Sequence, residues 1–195
     1  TEDAKTNSEH DFGKNIMPQM IDKKRQIVIY NLKENGMENN PYWKDVGTID
    51  AYYEANMDLV QVSPEFNLYD KEWPIRTYQE QHPPAKTVHS GEEITSRIGL
   101  VLDSIISSGC VVSGGKIQRS ILSPNVRINS FSQVYDSILF EGVNVGRYSM
   151  IKKAIIDKDV NIPEKTVIGY DKEDDQKRFF LTESGITIVP KGTKL

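Results

Sequence analysis

A 17-residue repeat constrains this chain more than any other feature. It runs through SILSPNVRINSFSQVYD (120–136), SILFEGVNVGRYSMIKK (137–153) and AIIDKDVNIPEKTVIGY (154–170). In register, Ile121, Ile138 and Ile155 form one column, and Leu122, Leu139 and Ile156 the next. Val126, Val143 and Val160 follow, then Ile128, Val145 and Ile162, then Val134, Ile151 and Ile168. DSIISSGCVVSGGKIQR (103–119) precedes them with a small register shift. Within a coil, apolar residues recur about every six positions, which is roughly 1.67 turns of a helix and cannot form one helical face. Short strands separated by polar bends do produce the pattern. Three per coil build a triangular prism whose apolar residues stack inside. Gly109, Gly142, Gly146 and Asn129 suit the bends, where positive φ is often needed. Most β-crossovers are right-handed, yet hexad prisms of this type are known as left-handed, so a left-handed parallel β-helix is expected.

The remaining composition narrows function mainly by exclusion. With 195 residues, 37% hydrophobic and 27% charged, the chain can bury one good core or two small ones. A net charge of −4 argues against broad nucleic-acid or membrane-surface binding, both of which need clustered positive potential. No apolar run approaches the roughly 18 to 20 residues that span a bilayer. The chain opens on Thr1 without an initiator Met, which suggests a fragment or a processed chain. Cys110 is the single cysteine, so no intramolecular disulfide forms, and a cytoplasmic location is expected.

Ahead of the prism, residues 11–24 read as a helix with Asp11 as N-cap, although Pro18 sits uncomfortably inside it. Residues 26–31 (QIVIYN) read as a strand and 33–41 as a polar loop. Thr48 reads as the N-cap of a helix running to about Leu59, with Asp50 in its first turn. Residues 61–99 carry Pro64, Pro74, Pro83 and Pro84 and read as an interdomain crossing segment. The tail combines a charged stretch (171–178), Phe179-Phe180 and a strand over 185–189, and is expected to cover the open end of the prism.

Four stretches carry a family resemblance: HDFGKNIMP (10–18), YWKDVGTIDAYYEANMDL (42–59), WPIRTY (73–78) with PPAK (83–86), and the prism. Together they resemble bacterial ADP-glucose pyrophosphorylase (glucose-1-phosphate adenylyltransferase). The resemblance implies a mixed architecture. Residues 1–60 would be the C-terminal piece of an α/β nucleotidyltransferase domain, 61–99 the linker, and 100–195 the left-handed β-helix with its capping tail. The implied reaction is ATP plus glucose 1-phosphate to ADP-glucose plus diphosphate, with Mg²⁺, in glycogen biosynthesis. The family's Gly-rich nucleotide loop and following P-K-P motif have no counterpart in these residues. The parent protein is therefore expected to be an enzyme, and this chain alone inactive.

Nucleotidyl transfer joins two polyanions, so fixed cations and a metal must offset charge at the attacked phosphorus. Asp45 matches the family's metal-binding Asp and is the candidate catalytic and Mg²⁺ residue, a carboxylate being the right hard ligand. Its plainer reading is a turn Asp that caps the next helix. Trp43 and Tyr42 offer flat faces to a hexose or simply pack in a core, and the resemblance favours Trp43 as a sugar-pocket residue. Asp11 and Phe12 match the family's sugar-pocket pair, though Asp11 can also serve as N-cap. Lys44 reads as a solvated neighbour. Lys158 and Lys191 stand where some relatives place effector-binding arginines, with exposed solenoid lysines the plainer reading; as lysines they keep the charge and lose the bidentate fork. Allosteric effectors (sugar phosphates or nucleotides) and a homotetramer are implied by the resemblance alone.

Cys110 falls near the Val126 column and reads as core. His10, His82 and His89 are scattered and show no metal spacing. One rival is a hexapeptide-repeat acyltransferase, which needs a histidine base on the prism; residues 100–170 contain none. The other rival is a non-catalytic regulatory subunit of the same family, which would retain Asp11, Trp43 and Asp45.

Overall fold

The computed structural model describes residues 3–5, 7–30, 42–72, 74–89 and 97–195, with the backbone of Ser90. The chain divides into two compact units, Thr1–Pro41 and Tyr42–Leu195.

In the first unit, Asp11 caps as expected, its carboxylate accepting from the Lys14 N–H at 2.7 Å. A π-helical turn follows over Phe12–Ile16, and helix α1 then covers Met17–Asp22. Pro18 thereby falls in the first turn of α1, where a missing N–H loses no helical bond. A change of helix type thus accommodates Pro18. Residues 26–30 of the expected strand are irregular and pair with nothing among the described residues; Asn31 and the 33–41 loop lie outside them. Buried Asp3 accepts from Ser8 Oγ at 2.8 Å and faces His10 Nδ1 at 2.7 Å, and these contacts hold its carboxyl below the usual range.

The second unit is a parallel β-solenoid with one helix on its flank. Among the described residues, its three faces contain six, six and five strands. On one face, Ile121, Ile138 and Ile155 are direct partners, as are Leu122, Leu139 and Ile156. The next face aligns Ile128, Val145 and Ile162, and the third aligns Val134, Ile151 and Ile168. The earlier coil is offset as expected: Val112 pairs with Ile128, sixteen positions on, while Ile117 pairs with Val134, seventeen on. The corner at Gly114-Gly115 is one residue shorter than its successors. Strand Lys86–Ser90, within the 61–99 stretch, extends one face by pairing with Val111–Ser113.

Side chains alternate across a strand, so two adjacent apolar columns cannot both point inward. Leu122, Leu139 and Ile156 fill the prism, whereas Ile121, Ile138 and Ile155 face outward. Helix α2 (Ile49–Leu59) covers that outer stripe, with Tyr53 packed against Ile138, Ile155 and Ile186. The stripe expected inside is therefore the docking face of a helix.

The corners form three columns of left-handed residues. Gly109, Asn125, Gly142 and Asp159 make one, and Gly114, Phe131, Tyr148 and Lys165 another. Gly109 and Gly142 behave as expected, but Asn129 and Gly146 do not adopt positive φ. Asn129 instead donates from its amide to Asn144 Oδ1 at 2.9 Å, and Asn144 to Asn161 Oδ1 at 2.7 Å, linking successive coils. Gly146 is glycine for space, since a Cβ there would lie 2.6 Å from the Glu164 nitrogen. A serine ladder runs beside them: Ser120 Oγ accepts the Ser137 N–H, and Ser137 Oγ accepts the Ala154 N–H, both at 3.2 Å.

The tail contributes helix α3 (Lys172–Arg178) and strand Thr187–Val189, which adds to the sheet beside Ala154–Ile156. Phe179 is buried in the same core cluster as Ile168. Cys110 is fully buried in the same core, and burial pushes its thiol up.

Candidate functional site

Tyr42 to Thr48 lead into α2, and each side chain has a local reason for its position. Thr48 Oγ1 caps α2 by accepting the Ala51 N–H at 3.1 Å. That leaves the Asp45 carboxylate outside the cap. Its Oδ1 closes a tight turn by accepting the Gly47 N–H at 3.0 Å, and Oδ2 accepts no hydrogen bond among the described residues. The helix-capping reading of Asp45 is therefore replaced by an Asx turn that holds an exposed carboxylate in a fixed direction.

Trp43 is 75% exposed, whereas Tyr42 stacks on Phe66 with centroids 5.4 Å apart. The two aromatics thus divide: Tyr42 anchors the segment and Trp43 presents its face. Lys44, read as a solvated neighbour, instead pairs with Asp58 on α2. That ion pair holds the Lys44 ammonium above its usual range. Asp11 and Phe12 lie in the first unit; Asp11 is committed to its cap through Oδ1, and Phe12 is exposed.

The start of α2 meets the solenoid across a cleft of about 450 Å³. One wall is Val46, Gly47, Thr48, Ile49 and Tyr52; the other is Phe140, Ile155, Asp157, Ile188 and Pro190. The two candidate effector lysines follow Asp157 and Pro190 directly in sequence. Asp157 brings them together, its carboxylate accepting the Lys158 N–H at 2.7 Å and the Lys191 N–H at 3.1 Å. Lys191 Nζ then pairs with Asp159 at 2.9 Å, which raises its affinity for its proton. Lys158 is exposed. Asp157 and Asp159 flank Lys158 in the sequence, which is the one local signal of this acidic neighbourhood.

Residues 83–189 match a family described as GlmU-like, C-terminal hexapeptide. That match covers more than half of the chain. The chain belongs to this family. Ahead of the GlmU-like hexapeptide region, residues 2–62 match a family described as nucleotidyl transferase. A curated glucose-1-phosphate adenylyltransferase of Koribacter versatilis is 54% identical over 97% of this chain and 44% of its own length. Those of Anaeromyxobacter dehalogenans and Nitrosospira multiformis are 55% and 44% identical over 96% and 94% of this chain. They are covered over 46% and 43% of their own lengths. The resemblance drawn from DVGT, PPAK and the prism is therefore shown. The chain spans less than half the length of the curated relatives it matches. Among the described residues, no helix is long and apolar enough to cross a membrane.

Proposed function

We propose that this chain is part of a glucose-1-phosphate adenylyltransferase, making ADP-glucose and diphosphate from ATP and glucose 1-phosphate for glycogen synthesis in the cytoplasm. The observation that carries this reading is the pairing of an open Trp43 face with a turn-fixed Asp45 carboxylate. Similarity to enzymes of that name over nearly the whole chain supports it.

In this reading Trp43 stacks against the hexose; for Asp11 and Phe12, which belong to the other unit, a sugar-binding role is proposed on the resemblance alone. Asp11 has lone pairs left beyond its cap for sugar hydroxyls. Asp45 Oδ2 fits one coordination position of Mg²⁺, a hard ion that takes one or two carboxylates beside substrate phosphates. When bound, the ion would supply charge neutralisation at the attacked phosphorus. The Gly47 N–H keeps the carboxylate aimed, so little reorganisation is needed as charge develops.

Lys158 and Lys191 are proposed to bind effector phosphates. Effector binding there would press on the 46–49 segment that carries Asp45 into α2, since Asp157 and Pro190 line the same cleft. A homotetramer is proposed on the resemblance alone. The acyltransferase reading is disfavoured by the lack of histidine in residues 100–170. A regulatory subunit would keep these residues without turnover.

The test is Asp45→Asn in the complete enzyme. It should lower kcat far more than it disturbs folding, measured by diphosphate release and thermal melting. Activity retained within about threefold, roughly 0.7 kcal/mol on the barrier, would refute the metal role. A parent protein with no turnover at all would favour the regulatory subunit.

A further inference from the structure

The extended segment before strand Lys86–Ser90 crosses a corner of the solenoid, where the Gly109 N–H donates to Pro83 O at 2.6 Å. There Glu80, His82 and Glu141 bring their ligand atoms within 4.8 Å of one another. A cleft of about 370 Å³ surrounds them, with Ser107, Ser108 and Tyr78 on its wall. His82 Nε2 lies 3.6 Å from Glu80 Oε2, and only 12% of the His82 side chain is exposed. Tyr78 OH donates to Glu80 Oε1 at 3.3 Å and so orients that carboxylate. The Asn125 side-chain amide nitrogen lies 3.3 Å from His82 Nδ1 and 3.5 Å from Nε2. Glu141 is held by its backbone, its carbonyl accepting the Asp159 N–H at 2.9 Å just ahead of the left-handed Gly142.

The charge balance makes the cluster unusual. Two carboxylates converge in a concave site whose lining, among the described residues, contains no lysine or arginine. Carboxylates gathered without a cation repel each other. One imidazole with two carboxylates suits a borderline divalent ion, leaving further positions for water or the serine hydroxyls. The three groups come from two parts of the chain, so an ion held by all three would tie the crossing segment to the solenoid.

We propose that Glu80, His82 and Glu141 bind one first-row divalent metal ion of the zinc type, which clips residues 78–83 onto the solenoid corner. The site uses none of the residues assigned to the sugar, the nucleotide or the effector.

The test titrates the metal-stripped chain with zinc chloride alone, followed by calorimetry and by hydrogen exchange over residues 78–85. One saturable equivalent is expected, with slower exchange across that segment. His82→Gln, Glu80→Gln and Glu141→Gln should each weaken binding by about 10–100-fold, at least the effect usual for losing a metal site's supporting contact. Melting of each variant in chelator should match the parent, which separates ligand loss from unfolding. If one variant misfolds, the other two decide. Non-saturable binding in the parent, or unchanged affinity in the correctly folded variants, would overturn the proposal.

Discussion

Asp175 shows how much a single side chain can do in this fold. It is 2% exposed, and its carboxylate accepts the Gly169 N–H at 2.7 Å. Burial is the larger influence and pushes its carboxyl above the usual range, with the Gly169 donor pulling the other way. Between the ordinary value of 3.8 and the raised one, the folded chain holds a proton that the unfolded chain has lost. Stability therefore falls as pH rises through that window and levels off above it. Asp175→Asn keeps an acceptor for Gly169, so denaturant titrations across the window should lose that slope without losing the fold. Asp175→Ala leaves the N–H unpaired and should cost about 1–3 kcal/mol in the same titrations. Asp45 makes the contrast: its turn is as well defined, yet its carboxylate is exposed, and Oδ2 accepts no hydrogen bond among the described residues.

At the scale of elements, the docking of α2 is the event that joins the DVGT motif to the solenoid. Tyr53 OH donates to Asp136 O at 2.6 Å, and Asp50 accepts from Thr182 Oγ1 at 2.8 Å and from Ser184. These Ser184 and Thr182 donors hold Asp50 below the usual carboxylate range. Its contribution is thus present above the usual value and lost as pH falls through the lowered one. Tyr53 behaves in the opposite sense at the other extreme, with burial and then the Asp136 carboxylate pushing its phenol up to about 12. The unfolded phenol ionises from about pH 10, so docking weakens between there and about 12. The contribution of α2 docking should be flat at neutral pH and fall off on both sides. Asp50→Asn should remove the acid decline. Tyr53→Phe should remove the alkaline one while costing about 1 kcal/mol at neutral pH, read by chemical denaturation at each pH.

At the scale of the whole molecule, each coil of the solenoid touches mainly its neighbours, so damage should remain near where it is made. Phe179, which follows α3, is part of the buried core, with the Arg178 guanidinium 4.6 Å from its ring centre. Phe179→Ala should cost about 3–5 kcal/mol of local stability. Hydrogen exchange should rise first at Val167–Ile168, while Gln133–Tyr135, two coils away, stays protected. Uniform acceleration would mean that the coils melt as one unit.

The 17-residue columns made the solenoid legible because every coil buries the same positions, so the sequence writes the core out repeatedly. Thr48 as a cap, Cys110 as core and the DVGT resemblance were equally readable, each resting on residues close together in the chain. Strand alternation needed the partner to be interpreted: which of Ile138 and Leu139 faces inward depends on what covers the other side, and that is α2, some 80 positions away. The same limit hid the meeting of Lys158 with Lys191 across Asp157, and that of His82 with Glu141 at one corner. Sequence alone determined the periodic core, since local pattern and burial agree at each turn. Only the tertiary structure decided which outer stripe became a docking face and which distant charges came to share a site, because both depend on contacts between segments far apart in the chain.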